Sequence, residues 1–292
     1  MATEEESLQD REVWTENARN WYQKVALKRI IEGRTYHHLA ILACPNVLQQ
    51  LFYFTKSLSV TKPYPPARER ILTLFNRMLN LPDGNTSSDK HPYFAQAFIL
   101  AHGSLFTHEP VQFQSSIKTF LEGLDRFIEG TPSEFMRTGI YINIANYVAM
   151  LGYGRDEAKN QLMGMMPPKS SASRTNKFES LFESGIYLQR ARILSIAALK
   201  TVLAKINDPN ILPYIHVTLE LLATLLQALL VGNENYNRDD LSDFRLRRED
   251  LWQNPFPKHY TMSGLCWTSA YFPEGFLSGR STWRRFTMSA KT

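Results

Sequence analysis

Apolar residues recur along this chain at the spacing of a helix face and almost never at the spacing of a strand. From Ile71 the set Ile71, Leu74, Phe75, Met78 and Leu79 falls on one side of a helix. Ile117, Phe120, Leu121, Leu124 and Ile128 repeat the pattern, as do Leu219, Leu222, Ala223, Leu226 and Leu230. The breaks join helix to helix: Pro63-Tyr64-Pro65-Pro66, Leu81-Pro82-Asp83-Gly84-Asn85, Thr131-Pro132-Ser133-Glu134 and Asn207-Asp208-Pro209-Asn210. At the third, a helix is expected to begin on Pro132 with Thr131 as its cap. A chain patterned in this way buries helix against helix, so the expected fold is all-α.

The 292 residues are 43% apolar and 21% charged, an ordinary globular balance that can supply a core without staples. Cys44 and Cys266 make neither a disulfide framework nor a zinc set, so a reduced, intracellular protein is expected. The opening residues are acidic where a targeting leader would be basic. The most apolar stretch, 211–231, holds Pro213, His216 and Glu220 and is read as a buried bundle helix, not a membrane span. The net charge of +5 conceals a division: residues 1–16 carry six acids and one base, leaving an excess of +10 on the rest. Such an excess suits a polyanionic partner.

Residues 164–176 have the composition of a flexible linker, and 232–258 that of a charged connection. One internal echo is visible. Trp21-Tyr22-Gln23-Lys24-Val25-Ala26-Leu27 is similar to Phe52-Tyr53-Phe54-Thr55-Lys56-Ser57-Leu58 at a period of 31, with Gly33-Arg34-Thr35-Tyr36-His37-His38-Leu39-Ala40 between them. This is the pattern of tetratricopeptide-like helix pairs, in which Ala26, Ala40 and Ser57 allow close approach.

The run Asp10-Arg11-Glu12-Val13-Trp14, Trp21-Tyr22, Gly33 to Ala43 and Pro45 to Leu58 resembles telomerase regulatory proteins of the "ever shorter telomeres" type. That superfamily includes the 14-3-3-like adaptors of nonsense-mediated mRNA decay. Weaker blocks follow in order: Ala67-Arg68-Glu69, His102 to Phe106, Leu151 to Gly154, Leu212 to Leu219, Met262 to Trp267 and Tyr271 to Glu274. The resemblance implies a 14-3-3-like tetratricopeptide region running into an α-helical hairpin array. It implies a non-catalytic adaptor, in the nucleus and secondarily the cytoplasm, binding telomerase RNA, telomeric single-stranded DNA or mRNA-decay proteins, without cofactor, small-molecule substrate or membrane. The expected organisation is an acidic stub (1–9), a partial tetratricopeptide-like region (10–80), a helical-hairpin region (81–277) and a basic tail (278–292). The family's helices ahead of the Asp10 block have no counterpart here, so the chain reads as an abbreviated member, and no phosphoserine-binding residue can be placed. A scaffold without nucleic-acid binding and an uncharacterised helical enzyme are the alternatives.

Two basic clusters are candidates for phosphate contacts. Lys24, Lys28, Arg29 and Arg34 stand near Tyr36, with Lys56 as the repeat counterpart; cations neutralise phosphates and rings stack bases. The competing reading is a solvated helix face with the tyrosines in the core. Arg280, Trp283, Arg284 and Arg285 form the second cluster, a single-strand-binding tail or an idle one. His91, His102, His108 and Asp89 lack metal-ligand spacing, so packing roles and no metal are expected. His37 and His38 are expected on opposite sides of a helix. Gly152-Tyr153-Gly154 is read as a helix end with a left-handed glycine, and no catalytic motif is present. Trp14 and Trp21, seven apart on one face of the first helix, are expected to stay partly exposed.

Overall fold

The computed structural model describes residues 8–81, 92–109, 112–155 and 185–231, with Met262 and Leu265. The segments around 164–176 and 232–258 and the tail at 278–292 lie outside the described residues. Among the described residues nine α-helices follow in order: α1 (Leu8–Lys28), α2 (Gly33–Leu42), α3 (Val47–Ser59), α4 (Ala67–Leu79), α5 (Pro92–Thr107), α6 (Phe113–Gly130), α7 (Pro132–Met150), α8 (Ile186–Leu203) and α9 (Leu212–Val231). Short 3-10 turns occupy Gly152–Gly154 and Pro209–Ile211. These residues include no strand, only isolated bridges from Glu32 to Lys62 and from Val60 to Leu265. The fold is all-α, as the periodicity requires. No helix of the described residues is long and apolar enough to cross a membrane.

Helices α3 and α7 form the interior. The α3 helix is buried on nearly every side, and α2, α4, α5 and α7 pack around it. Phe52 of α3 stacks on Tyr141 of α7 with ring centres 4.7 Å apart. On the other side of α7 lie α8 and α9. The α5–α6 pair closes through rings: Phe94 on Phe127 and Phe98 on Phe120, both at 4.7 Å. Pairs of this kind add to the area their rings bury.

The expected small-residue contacts exist. Ala40 and Ser57 are inaccessible and Ala26 nearly so. The Ser57 hydroxyl donates to the Gly33 carbonyl at 2.8 Å. A Cβ on Gly33 would meet the Ser57 carbonyl oxygen at 2.4 Å, so only glycine admits this approach of α2 to the end of α3.

Three expectations on local structure are corrected. Pro132 does open α7, but Thr131 is no side-chain cap; its hydroxyl donates to the Phe127 carbonyl at 3.0 Å, finishing α6 instead. Leu79, placed on the buried face of α4, is 52% exposed, one residue past the last buried turn at Met78. In α9 the face is rotated: Leu219, Leu222 and Ala223 are exposed, while Tyr214, Val217, Thr218, Leu221 and Thr224 are buried. That helix is apolar all round, so its periodicity does not choose a face. Asn143 of α7 does, by donating to the Tyr214 carbonyl at 2.7 Å and the Thr218 hydroxyl at 3.0 Å.

Candidate nucleic-acid interface

Among the described residues helix α1 packs chiefly on α2. Its inner side carries Ala26 and the half-buried Tyr22; its outer side carries Trp14, 42% exposed, and Trp21, 67% exposed. The expectation for these two tryptophans is met. Lys24, Lys28, Arg29 and Arg34 are all exposed. The Lys24 ammonium lies over the Trp21 ring, 4.8 Å from its centre, and Lys28 follows one turn later on the same side. Arg29 reaches Glu32 at 3.9 Å, a weak exposed pair that offsets part of its charge. Arg34 stands close enough to His38 to lower its pKa, after burial, and His38 stacks on Tyr22 of α1 at 4.9 Å. Of these cations Lys24 lies at the exposed indole, Lys28 follows it on the same side of α1, and Arg29 and Arg34 stand at Glu32 and His38.

Tyr36 and Lys56 do not join that surface. Tyr36 is 3% exposed and donates its hydroxyl to the Ile30 carbonyl at 2.9 Å. Lys56 is 2% exposed, its ammonium 4.5 Å from the Tyr36 ring centre and 5.9 Å from that of Phe52. Burial lowers the Lys56 pKa to about 7. Tyr36 belongs to a small core with Ala26, Leu39 and Val60, so its ring face is taken by the amine and cannot stack a base. The exposed ring is Trp21. Its position one helical turn from Lys24 and two from Lys28 was legible in the spacing. Arg280, Trp283, Arg284 and Arg285 lie outside the described residues.

The histidines pack. His37 and His38 both face neighbouring rings: His37 meets Tyr64 at 5.1 Å and Phe54 at 5.8 Å, and burial lowers the pKa of both histidines. They do not divide between a groove and a surface. His102 is inaccessible, with Nδ1 2.8 Å from the Tyr153 hydroxyl and Nε2 3.2 Å from Asn146 Oδ1. A neutral ring protonated on Nε2 satisfies both partners. Burial holds it neutral, with its pKa near 3. His91 and Asp89 lie outside the described residues. Among the described residues no three His, Cys, Asp or Glu side chains could hold a metal ion.

The Gly152–Gly154 turn ends α7 in the left-handed region throughout, at φ 63, 54 and 65 for Gly152, Tyr153 and Gly154. Tyr153 tolerates it because its ring is buried against Phe106 and its hydroxyl is held by His102. The turn is structural, as its glycines imply. A shallow depression beside Pro132 is lined by Glu129, Lys205 and Asp208, and Lys205 is paired there with Asp125 at 3.0 Å and Glu129 at 2.5 Å.

Residues 32–132 match the family model described as the Est1 DNA/RNA binding domain. The matched stretch runs from the start of α2 to the start of α7 and holds Arg34, while Lys24, Lys28 and Arg29 precede it. No curated protein matches the chain.

Proposed function

We propose that this chain, whose residues 32–132 belong to the Est1 DNA/RNA-binding family, is a telomerase-regulator type adaptor that binds single-stranded nucleic acid along the outer side of α1 and the start of α2. The observation that carries the reading is Trp21: a solvent-facing indole with Lys24 over its ring and Lys28 one turn on. Lys24, Lys28, Arg29 and Arg34 neutralise phosphates, and Trp21 offers a face to a base. Telomerase RNA and telomeric single-stranded DNA are the partners this implies, in the nucleus; mRNA-decay complexes are the partners of a cytoplasmic role.

The test is binding of labelled single-stranded RNA and DNA across a salt series. Replacing Lys24, Lys28 and Arg29 by Ala frees up to three phosphates and flattens the slope of log affinity against log salt by about 0.7 for each phosphate no longer neutralised. An unchanged slope makes the cluster a solvated face. A second reading has its own observation: Val13 and Val25 share the exposed side of α1 with the tryptophans, as a helix that docks on a protein would require. Salt-insensitive capture of a protein partner, with no oligonucleotide binding, selects that reading.

A further inference from the structure

Three arginines far apart in sequence converge around a row of rings, away from the α1 cluster. Arg68 at the start of α4 and Arg155 just after the Gly152–Gly154 turn both lie over Phe106, their guanidinium carbons 5.8 and 5.9 Å from its centre. Arg155 is close enough that its charge, after burial, lowers the pKa of Arg68. Each is fixed by a backbone oxygen: Arg68 donates to the Tyr153 carbonyl at 2.6 Å, and Arg155 to the Phe106 carbonyl at 2.6 Å. Arg155 also contacts the ring of His108. That ring stacks on Tyr187 of α8, 3.9 Å away and tilted by 21°, and the Tyr187 hydroxyl donates to the His108 carbonyl at 2.9 Å. Arg190, three residues on, stands 5.7 Å from the Tyr187 ring centre and 5.8 Å from that of Phe113. His108 holds this position at φ 66, a conformation that non-glycine residues adopt rarely.

Among the described residues none of the three guanidiniums has a carboxylate partner. Glu69, beside Arg68 in sequence, and Glu109, beside His108, pair with none of them. Asp156 and Glu157 lie outside the described residues. Arg68 and Arg155, like charges held by carbonyls and without a counter-ion among the described residues, form with Arg190 a surface that an anion completes. Arg190 donates no hydrogen bond to any described residue, and His108 is exposed while Arg68, Arg155, Tyr187 and Arg190 are half-buried. A guanidinium offers five N–H donors in a fork that matches phosphate. Phe106 and Phe113 are buried, so the exposed His108 ring, stacked on Tyr187, is the flat group a base can reach.

We propose that Arg68, Arg155 and Arg190, with the His108–Tyr187 stack, form a second binding site for single-stranded nucleic acid, the guanidiniums on phosphates and the exposed ring edge against a base. It rests on the nucleic-acid reading above and carries the strand's path beyond residues 32–132 to α8.

The test uses the full chain and labelled oligothymidylate and oligouridylate in a salt series. Arg190→Gln, which breaks no hydrogen bond to a described residue, is expected to lower the salt slope by about 0.7, and Arg155→Gln with Arg190→Gln by about twice that. Tyr187→Leu is expected to weaken binding by about fivefold or more with the slope unchanged. In the unmutated chain, 4-thiouridine RNA is expected to crosslink to the peptide containing Tyr187. If the arginine variants keep the wild-type slope while the α1 triple variant loses its own, the second site is overturned and the nucleic-acid reading stands. If the wild type binds neither oligonucleotide at low salt, both fall. Tighter binding of a phosphoserine peptide than of either oligonucleotide, lost in Arg190→Gln, overturns the nucleic-acid assignment of this site.

Discussion

Lys56 gives the sharpest handle on the energetics of this core. The residue is 2% exposed among α2 and α3 side chains, and burial moves its pKa from an ordinary 10.5 to about 7. The folded chain therefore binds this proton more weakly than the unfolded chain does. Below pH 7 both states are protonated and the full penalty is present; between about pH 7 and 10.5 only the unfolded state keeps the proton, so stability rises with pH. At about 1.4 kcal/mol for each pH unit of that window, the whole is worth about 5 kcal/mol. The faces of Tyr36 and Phe52, at 4.5 and 5.9 Å, favour the cation and oppose part of that penalty. Lys56→Met keeps most of the volume and removes the titration. Urea unfolding at steps from pH 6 to 10.5 is expected to show the wild type gaining up to about 5 kcal/mol on the variant across the window. Tyrosines that titrate near the upper end cancel in the difference. Parallel curves for the two proteins would refute the reasoning and mean that the rings hold a fully charged lysine in the core.

Gly154→Ala is expected to destabilise by about 2–4 kcal/mol in denaturant unfolding, since the new Cβ would sit 2.1 Å from the Leu58 carbonyl oxygen at φ 65. His102 carries a lowered pKa, so its contribution is present above the unfolded value near 6.5 and is lost as pH falls toward 3; His102→Gln is expected to flatten acid unfolding over that window. Trp21→Ala is expected to change stability by no more than about 0.5 kcal/mol, because the ring is 67% exposed, while weakening oligonucleotide binding by about fivefold or more.

Fold class was legible because helical spacing is a local signal. Ile71, Leu74, Phe75 and Met78 are buried on one face of α4, and Ile117, Phe120, Leu124 and Ile128 on one face of α6, where charged neighbours mark the other side. The same rule misplaced the face of α9, where apolar residues surround the helix and the choice is made by Asn143 across the sequence. The candidate site divides in the same way. The cations of α1 are exposed because they lie on the side of the helix turned away from Ala26 and Tyr22, which face α2. Proximity and period group Tyr36 and Lys56 with them, yet packing of α2 on α3 turns both inward. The Arg68, Arg155 and Arg190 cluster has no sequence pattern at all; it exists through contacts between α4, the α7–α8 connection and α8.

Arg34 separates a binding role from a stabilising one. A helix favours cations at its C-terminus and disfavours them in its first turn, by about 0.3–1 kcal/mol each. Lys28, Arg77 and Lys200 obey this rule, in the last turns of α1, α4 and α8. Arg34, second in α2, and Arg68, second in α4, break it. Arg68 has a compensation in the Tyr153 carbonyl. Arg34 is exposed and acts on His38, where it disfavours protonation instead of gaining a partner. A surface selected for helix stability alone would not put it there. At a helix start, however, an arginine and the free N–H groups favour the same ligand, an anion. Arg34→Gln is therefore expected to leave stability unchanged or to raise it by up to about 1 kcal/mol, while lowering the salt slope of oligonucleotide binding by about 0.7. Urea unfolding and the salt series are read on the same preparation. A loss of stability with no change in slope would make Arg34 a structural residue and remove α2 from the interface.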